Sequence, residues 1–343
     1  MCSSDLPKAE RDIAVESEYA TLYAAANAKK TLEAGFTTVR NLGDGGMQTI
    51  ALRKAIERGL LPGPRIITSG KTLATTGGHG DPTNGKAKND YVPPSPEDGV
   101  VDSYDDAKKA VRQRYKDGVD GIKITATGGV LSVAKNGQNP QFMDDELTGV
   151  IETAKDYGLW VAAHAHGTEG IIRAVKAGVS SIEHGTYLDE AGMDLMIAKG
   201  TYYVPTIVAG EWVAEKAKID NFFPELVRPK AASIGPQIQS TFQKAYKRGV
   251  KIAFGTDSGV SPHGENWKEF VLMVEAGMPA AEAIQSATIE TAKLFRLEDT
   301  LGQIKATYLA DIIATNENPI QNISSLGNIS FVMKDGEIIK HNK

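Results

Sequence analysis

Seven times along the chain a glycine is followed by a short apolar run, then by polar residues and another glycine. The stretches are GFTTVRNLG (35–43), GPRIITSG (63–70), GVDGIKITATGG (118–129), GLWVAAHAHG (158–167), GVSSIEHG (178–185), GTYYVPTIVAG (200–210) and GVKIAFGTDSG (249–259). The leading glycine suits the left-handed residue that ends a helix. The β-branched and apolar residues after it suit a strand buried on both faces. Between these runs, AAANAKKTLEA (24–34), MQTIALRKAIERG (47–59), YDDAKKAVRQRYKDG (104–118), DDELTGVIETAKDYG (144–158), GTEGIIRAVKAG (167–178) and LVRPKAASIGPQIQSTFQKAYKRG (226–249) space apolar residues by three and four. That is helical periodicity. Strands alternating with helices predict a parallel sheet covered by helices.

An open doubly wound sheet and a closed barrel both satisfy this alternation. In an open sheet the ligand site gathers where the strand order reverses, between two or three strands. In a barrel every strand end borders one shared pocket. Polar residues close so many of these strands that the barrel is the better reading. The fold class expected is α/β, a (β/α)8 TIM-type barrel over residues 7–298, with its first strand lacking because seven runs stand where closure wants eight. Residues 300–319 and 329–343 break the alternation with short strands and a KDGE turn. They predict a C-terminal remnant of a small β-sandwich over 299–343. The glycine-rich stretch 72–99 predicts a long irregular loop of the lid or binding kind.

Composition narrows the function classes. The formal net charge of −5 comes from mixed acids and bases with no basic run. Nucleic acid and a membrane surface are therefore not expected as partners, and a small molecule is; a homo-oligomer is left open. No stretch approaches the ~20 apolar residues of a membrane span. The single cysteine, Cys2, excludes an intramolecular disulfide and any CxxC metal site.

His164 and His184 close two consecutive βα strands. Neighbouring strands lie about 4.8 Å apart, so both imidazoles could reach one divalent metal at about 2.1 Å. His166 follows in the same turn, on the substrate side or supporting the ligands. Lys123 lies within an apolar strand one unit earlier. Its stem could pack while its head reaches water, or its buried amine could lose its proton and react with carbon dioxide to give an anionic carbamate. Asp257, in GTDSG, could shape an Asx turn. As part of the constellation it would bind metal, take a proton from metal-acidified water and pass it to a departing amine.

Together GIKITATGG, VAAHAHG, SIEHG and IAFGTDSG resemble the amidohydrolase superfamily, at its branch of metal-dependent (Xaa-Pro type) dipeptidases and imidazolonepropionase relatives. EAGFTTVRNLGD, GPRIITSGKTLATTGGHGD, SPHGENWKEF and GQIKATYLADIIATNENP match that branch as well, and the resemblance runs from about Glu18 to the end. It implies a (β/α)8 barrel with a small β-sandwich and one or two divalent metals, commonly zinc. It implies that Lys123 is a carboxylated bridging ligand, that His164 and His184 are ligands, and that Asp257 is both ligand and general base. It places His79 in TGGHG, His263 in SPHG and, less directly, Tyr187 near the substrate. The expected activity is hydrolysis of the amide bond of dipeptides or N-acyl amino acids. The alternatives are a cyclic amidase of the imidazolonepropionase type and an inactive barrel that only binds.

One family element is not found. The pattern begins with a β-rich segment and a strand ending in His-x-His, yet no histidine precedes His79. Residues 1–6, MCSSDL, are what the end of a common sequencing adapter would encode. They are read as adapter sequence joined to an incomplete frame, which leaves the compartment unread and makes the chain as written an expected weak enzyme of low stability. Source codons continuous with genomic sequence would refute that expectation.

Overall fold

The structure is a computed structural model that describes residues 16–87, 89–132 and 136–342. The reading of residues 1–6 lies outside the described residues. All seven glycine-bounded runs contribute parallel strand positions. β1 (Thr38–Asn41) pairs with β2 (Arg65–Thr68), and β3 (Gly121–Thr125), β4 (Trp160–Ala165), β5 (Ser181–His184) and β6 (Tyr202–Val204) form a parallel sheet in that order. Leu73, just beyond β2, bridges Ile124 of β3 in parallel, and Ile252 bridges Tyr203 of β6. Phe36, ahead of β1, stacks on Phe254 at 5.7 Å, and Phe254 stacks on Phe270 at 4.2 Å. The walls at the two ends of the series therefore meet.

The helices between strands follow the predicted order: α1 (Ser17–Glu33), α2 (Gln48–Glu57), α3 (Tyr104–Asp117), α4 (Asp144–Asp156), α5 (Thr168–Ala177), α6 (Glu190–Lys199), α7 (Ile207–Lys216) and α8 (Arg228–Arg248). Left-handed glycines end several of them, Gly118 after α3, Gly178 after α5 and Gly249 after α8. One expectation needs correction. The run 200–210 is not one strand: β6 stops at Val204 and α7 starts at Ile207. Pro205 carries no N–H for a ladder, and Thr206 takes φ 54. Among the described residues no helix is long and apolar enough to cross a membrane.

Side-chain alternation shows the two layers of the barrel. Ile122, Ile124, Val161, Ala163, Ala165, Ile182 and Tyr203 point outward into the main core with the helices. Inward, Ile67, Trp160 and Ala162 pack with Leu42, Phe295 and Leu297, while Tyr202, Val204 and Ala253 pack with Leu294 and Phe295. Phe295 belongs to both inner clusters. It follows α9 (Lys268–Glu275), α10 (Ala280–Gln285), a π-turn and α11 (Thr291–Leu294), so the end of the helical series plugs the barrel floor. Above it Arg40 of β1 reaches across to Glu183 of β5, Nη2 to Oε1 at 2.9 Å, with both side chains less than a tenth exposed. The guanidinium also lies over Trp160 at 5.2 Å and Phe295 at 5.6 Å. β1 and β5 are not neighbours in either ladder, and a direct ion pair between them requires a curved, enclosed sheet.

The C-terminal residues form the antiparallel sheet β7 (Ile312–Thr315), β8 (Ile329–Lys334) and β9 (Glu337–His341). The KDGE turn joins β8 to β9 with Asp335 at φ 51 and Gly336 at φ 82, the paired positive angles of a two-residue hairpin turn. Ile329 and Val332 enter the main core. Arg65 of β2 ties the sheet to the barrel through Asp311, at 3.0 Å, and Asp335.

Candidate active site

Four of the six histidines meet at the C-terminal ends of β4 and β5. The rings of His164 and His184 are 4.8 Å apart, His164 and His166 4.7 Å, His166 and His184 5.1 Å, and His79 and His164 4.5 Å. The two strand-end histidines are not in matching register, however. His164 pairs with Glu183, and His184 with Ala165. A one-residue offset sends side chains to opposite faces, so an ordinary extended His184 would point into the helical layer with Ile182. Its φ of 72 turns it back towards the pocket. Left-handed non-glycine residues persist where their surroundings over-determine them. Here Tyr203 Oη donates to the His184 carbonyl at 2.9 Å, and Thr206 Oγ1 lies 2.8 Å from His184 Nδ1. Gly185, at φ 54, leaves room for the Tyr203 ring, which a Cβ would strike.

Each other imidazole is pinned through one nitrogen. His164 Nε2 lies 3.1 Å from the Gly128 carbonyl, His166 Nδ1 2.7 Å from Thr186 Oγ1, and His79 Nδ1 2.5 Å from Ser132 Oγ. Burial, then the neighbouring histidines and Lys123, hold His164 and His184 well below the usual histidine range. Burial lowers His166 to about 3 and His79 to about 4, helped by Lys123 and Lys230. All four rings are therefore neutral near pH 7. Lys123 faces the interior from β3, two pairs below the Thr125–His164 rung. Burial lowers its amine to about 8, with Glu183 and Asp257 pulling it back up.

Asp257 stands at φ 51 in the turn after the seventh strand position and is exposed. Its turn is held from behind by Asn266, whose amide donates to Thr256 Oγ1 at 3.0 Å and Ser258 Oγ at 2.8 Å. Tyr187 is half-buried beside the cluster, its amide donating to the His166 carbonyl at 2.9 Å. His263 lies at the end of α1. Its Nδ1 is 2.9 Å from Thr31 Oγ1 of α1, and its ring lines a cleft of about 170 Å³ with Tyr23, Asn27, Lys30 and Trp212. None of the four clustered histidines lines that cleft.

Other residues at the site were not singled out from the sequence. Glu183 and Arg40 supply charges near Lys123. Their only signal is that opposite charges stand inside the apolar strands SSIEH and TTVRN. Lys230 of α8 donates to the carbonyls of Ser132 at 2.8 Å and Gly129 at 3.4 Å. Nothing in its amphipathic helix marks it, because only the helix packing brings it to the His79 and His166 side.

The sequence model of the Amidohydrolase family matches residues 4–339. The chain belongs to the amidohydrolase family. A crystal structure of a Xaa-Pro dipeptidase with bound methionine in the active site is 64% identical with a TM-score of 0.95, covering 97% of this chain and 82% of that one. Ochratoxinase of Aspergillus niger is 33% identical over 91% of this chain and 67% of its own length. Imidazolonepropionase of Psychromonas ingrahamii is 25% identical over 64% of this chain and 54% of its own. The architecture matches the TIM-type barrels of these relatives, and the chain is a hydrolase of amide bonds.

Members of this superfamily generally use divalent metals, so the donor set matters. Among the described residues no three His, Cys, Asp or Glu side chains are arranged to hold an ion by themselves. Two imidazoles on one ion at about 2.1 Å place their ring centres about 5 Å apart, and His164 and His184 meet that at 4.8 Å. Both are neutral, as metal ligation requires. The residues fit an ion held by two histidines, provided that Lys123 and Asp257 complete the set.

Proposed function

We propose that the chain is a metal-dependent hydrolase of the amide C–N bond in dipeptides, Xaa-Pro dipeptides foremost, or in N-acyl amino acids. The observation that carries this reading is the meeting of two neutral imidazoles, His164 and His184, beside the buried amine of Lys123. The 64% identity to a Xaa-Pro dipeptidase supports the substrate class. His164 and His184 would hold the ion, commonly zinc in this family. Lys123, as its carbamate, and Asp257 would complete the ligand set. A bound divalent ion supplies polarisation of the scissile carbonyl and acidification of water.

The chain's own residues do the rest. Lys123 is buried and its amine lowered to about 8, so a free-amine fraction is available to take up carbon dioxide with loss of one proton. Arg40, by pairing Glu183, keeps that carboxylate from fixing Lys123 as an ammonium. Asp257 takes a proton from water and delivers it to the nitrogen of the departing amine. His79, His166 and Tyr187 wall the substrate side, and Lys230 offers a cation for the free carboxylate of a dipeptide.

The test is release of amino acid from a panel of Xaa-Pro dipeptides and N-acyl amino acids, with divalent metal added back to metal-stripped protein. Turnover that needs metal and disappears in Asp257→Asn, while the metal remains bound, is the expected result. Metal-independent turnover, or turnover retained in Asp257→Asn, would refute it.

A further inference from the structure

The start of α7 reverses an ordinary division of labour. A threonine at the residue before a helix normally turns its own hydroxyl onto the first free N–H groups of that helix, from an extended backbone. Thr206 holds that position before α7 but makes no such bond, and its backbone is left-handed at φ 54. Its hydroxyl is turned instead to His184 Nδ1 at 2.8 Å. The N–H groups it leaves are taken by a side chain from another helix. Glu269 of α9 accepts from Ile207 N at 2.9 Å through Oε1 and from Val208 N at 2.7 Å through Oε2. Glu269 has no exposed surface, and Thr206 is 3% exposed. An unmade bond here could not be repaired by water.

We propose that Glu269 is a positioning residue for His184. By capping α7 in place of Thr206, it holds Thr206 in the left-handed turn and frees the Thr206 hydroxyl to accept the Nδ1–H of His184. The Nε2 lone pair of His184 then faces the pocket. The left-handed residues His184 and Thr206 are thus one device. β6 and the turn after it supply both of its fastenings, the Tyr203 hydroxyl on the His184 carbonyl and the Thr206 hydroxyl on the His184 ring, and Glu269 locks the start of α7. Glu269 does not touch the His184 ring, so a bystander core acid would leave the state of that ring alone. The consequence for metal binding rests on the reading of His184 as a ligand; the consequence for the tautomer does not.

The experiment reads ring-nitrogen resonances of the metal-free protein labelled with ¹⁵N-histidine, His184 being assigned by its loss in His184→Gln. Wild type is expected to show one His184 tautomer, protonated at Nδ1. Thr206→Val and Glu269→Gln should both mix the two tautomers while the His79 resonances stay in place, and Thr206→Ser should restore the wild-type pattern. Zinc affinity should fall about tenfold or more in the first two variants, as when the outer partner of a ligating histidine is lost. A His184 tautomer unchanged in a folded Glu269→Gln overturns the proposal. Should Glu269→Gln not fold, Thr206→Val decides: an unaltered His184 ring in that variant overturns it equally. Because the tautomer is read without metal, the outcome is independent of whether the chain hydrolyses any amide.

Discussion

A methyl group at Gly129 would overlap the His79 ring, which packs directly on that glycine. Gly129→Ala should therefore displace His79, lowering turnover with a destabilisation of about 1–3 kcal/mol, the range for an overpacked site. Wild-type kinetics with an unmoved ring in a crystal structure of the variant would contradict this. Deeper in the barrel, Arg40→Met strands the Glu183 carboxylate, and loss of one partner of a buried pair costs about 3–5 kcal/mol. Urea unfolding should show most of that loss recovered in the double variant Arg40→Met, Glu183→Leu, since the stranded charge is then gone. An additive double variant would mean that the two residues are not coupled. Lys123, His164 and His184 were legible in the sequence because a polar residue inside or closing an apolar strand is conspicuous. Arg40 and Glu183 were not, since their partnership joins strands that share no ladder. The turned-back His184 was not legible either, because register, not spacing, decides which face it would occupy.

The elements were legible wherever a helix or strand ended on glycine or a turn pair, as in the left-handed glycines after α3, α5 and α8 and the Asp335–Gly336 hairpin. The boundary at 204–207 was hidden, because the apolar residues of GTYYVPTIVAG continue through it. Pro205 and a left-handed Thr206 break the strand there. The helix that follows depends on Glu269 from α9, whose buried carboxyl is raised to about 8 by burial against the pull of the Val208 and Ile207 amides. A carboxyl raised in the folded state binds its proton more tightly there than in the unfolded chain. Its contribution to stability is whole below about pH 4.5 and is lost as pH rises through about 8. Between pH 5 and 9 the wild type should therefore lose more stability than Glu269→Gln in urea titrations. Parallel curves for the two proteins would contradict the burial of a titrating acid at that position.

At the scale of the whole molecule, alternation alone predicted a parallel sheet wrapped by helices. The polar strand ends selected the barrel, and the Arg40–Glu183 pair and the Phe295 plug show how its interior is filled. His263, six residues after Asp257, meets the Thr31 hydroxyl of α1 and lines a cleft with Tyr23 and Trp212. The central claim is that His164 and His184, completed by Lys123 and Asp257, hold a divalent ion for amide hydrolysis. Titration of metal-stripped protein with zinc, followed by mass spectrometry of the retained metal, tests it most directly. The wild type is expected to retain zinc, and His164→Asn and His184→Asn to lose it together with Xaa-Pro hydrolysis. Equal zinc content in wild type and both histidine variants, or a wild type that retains none, would contradict the claim.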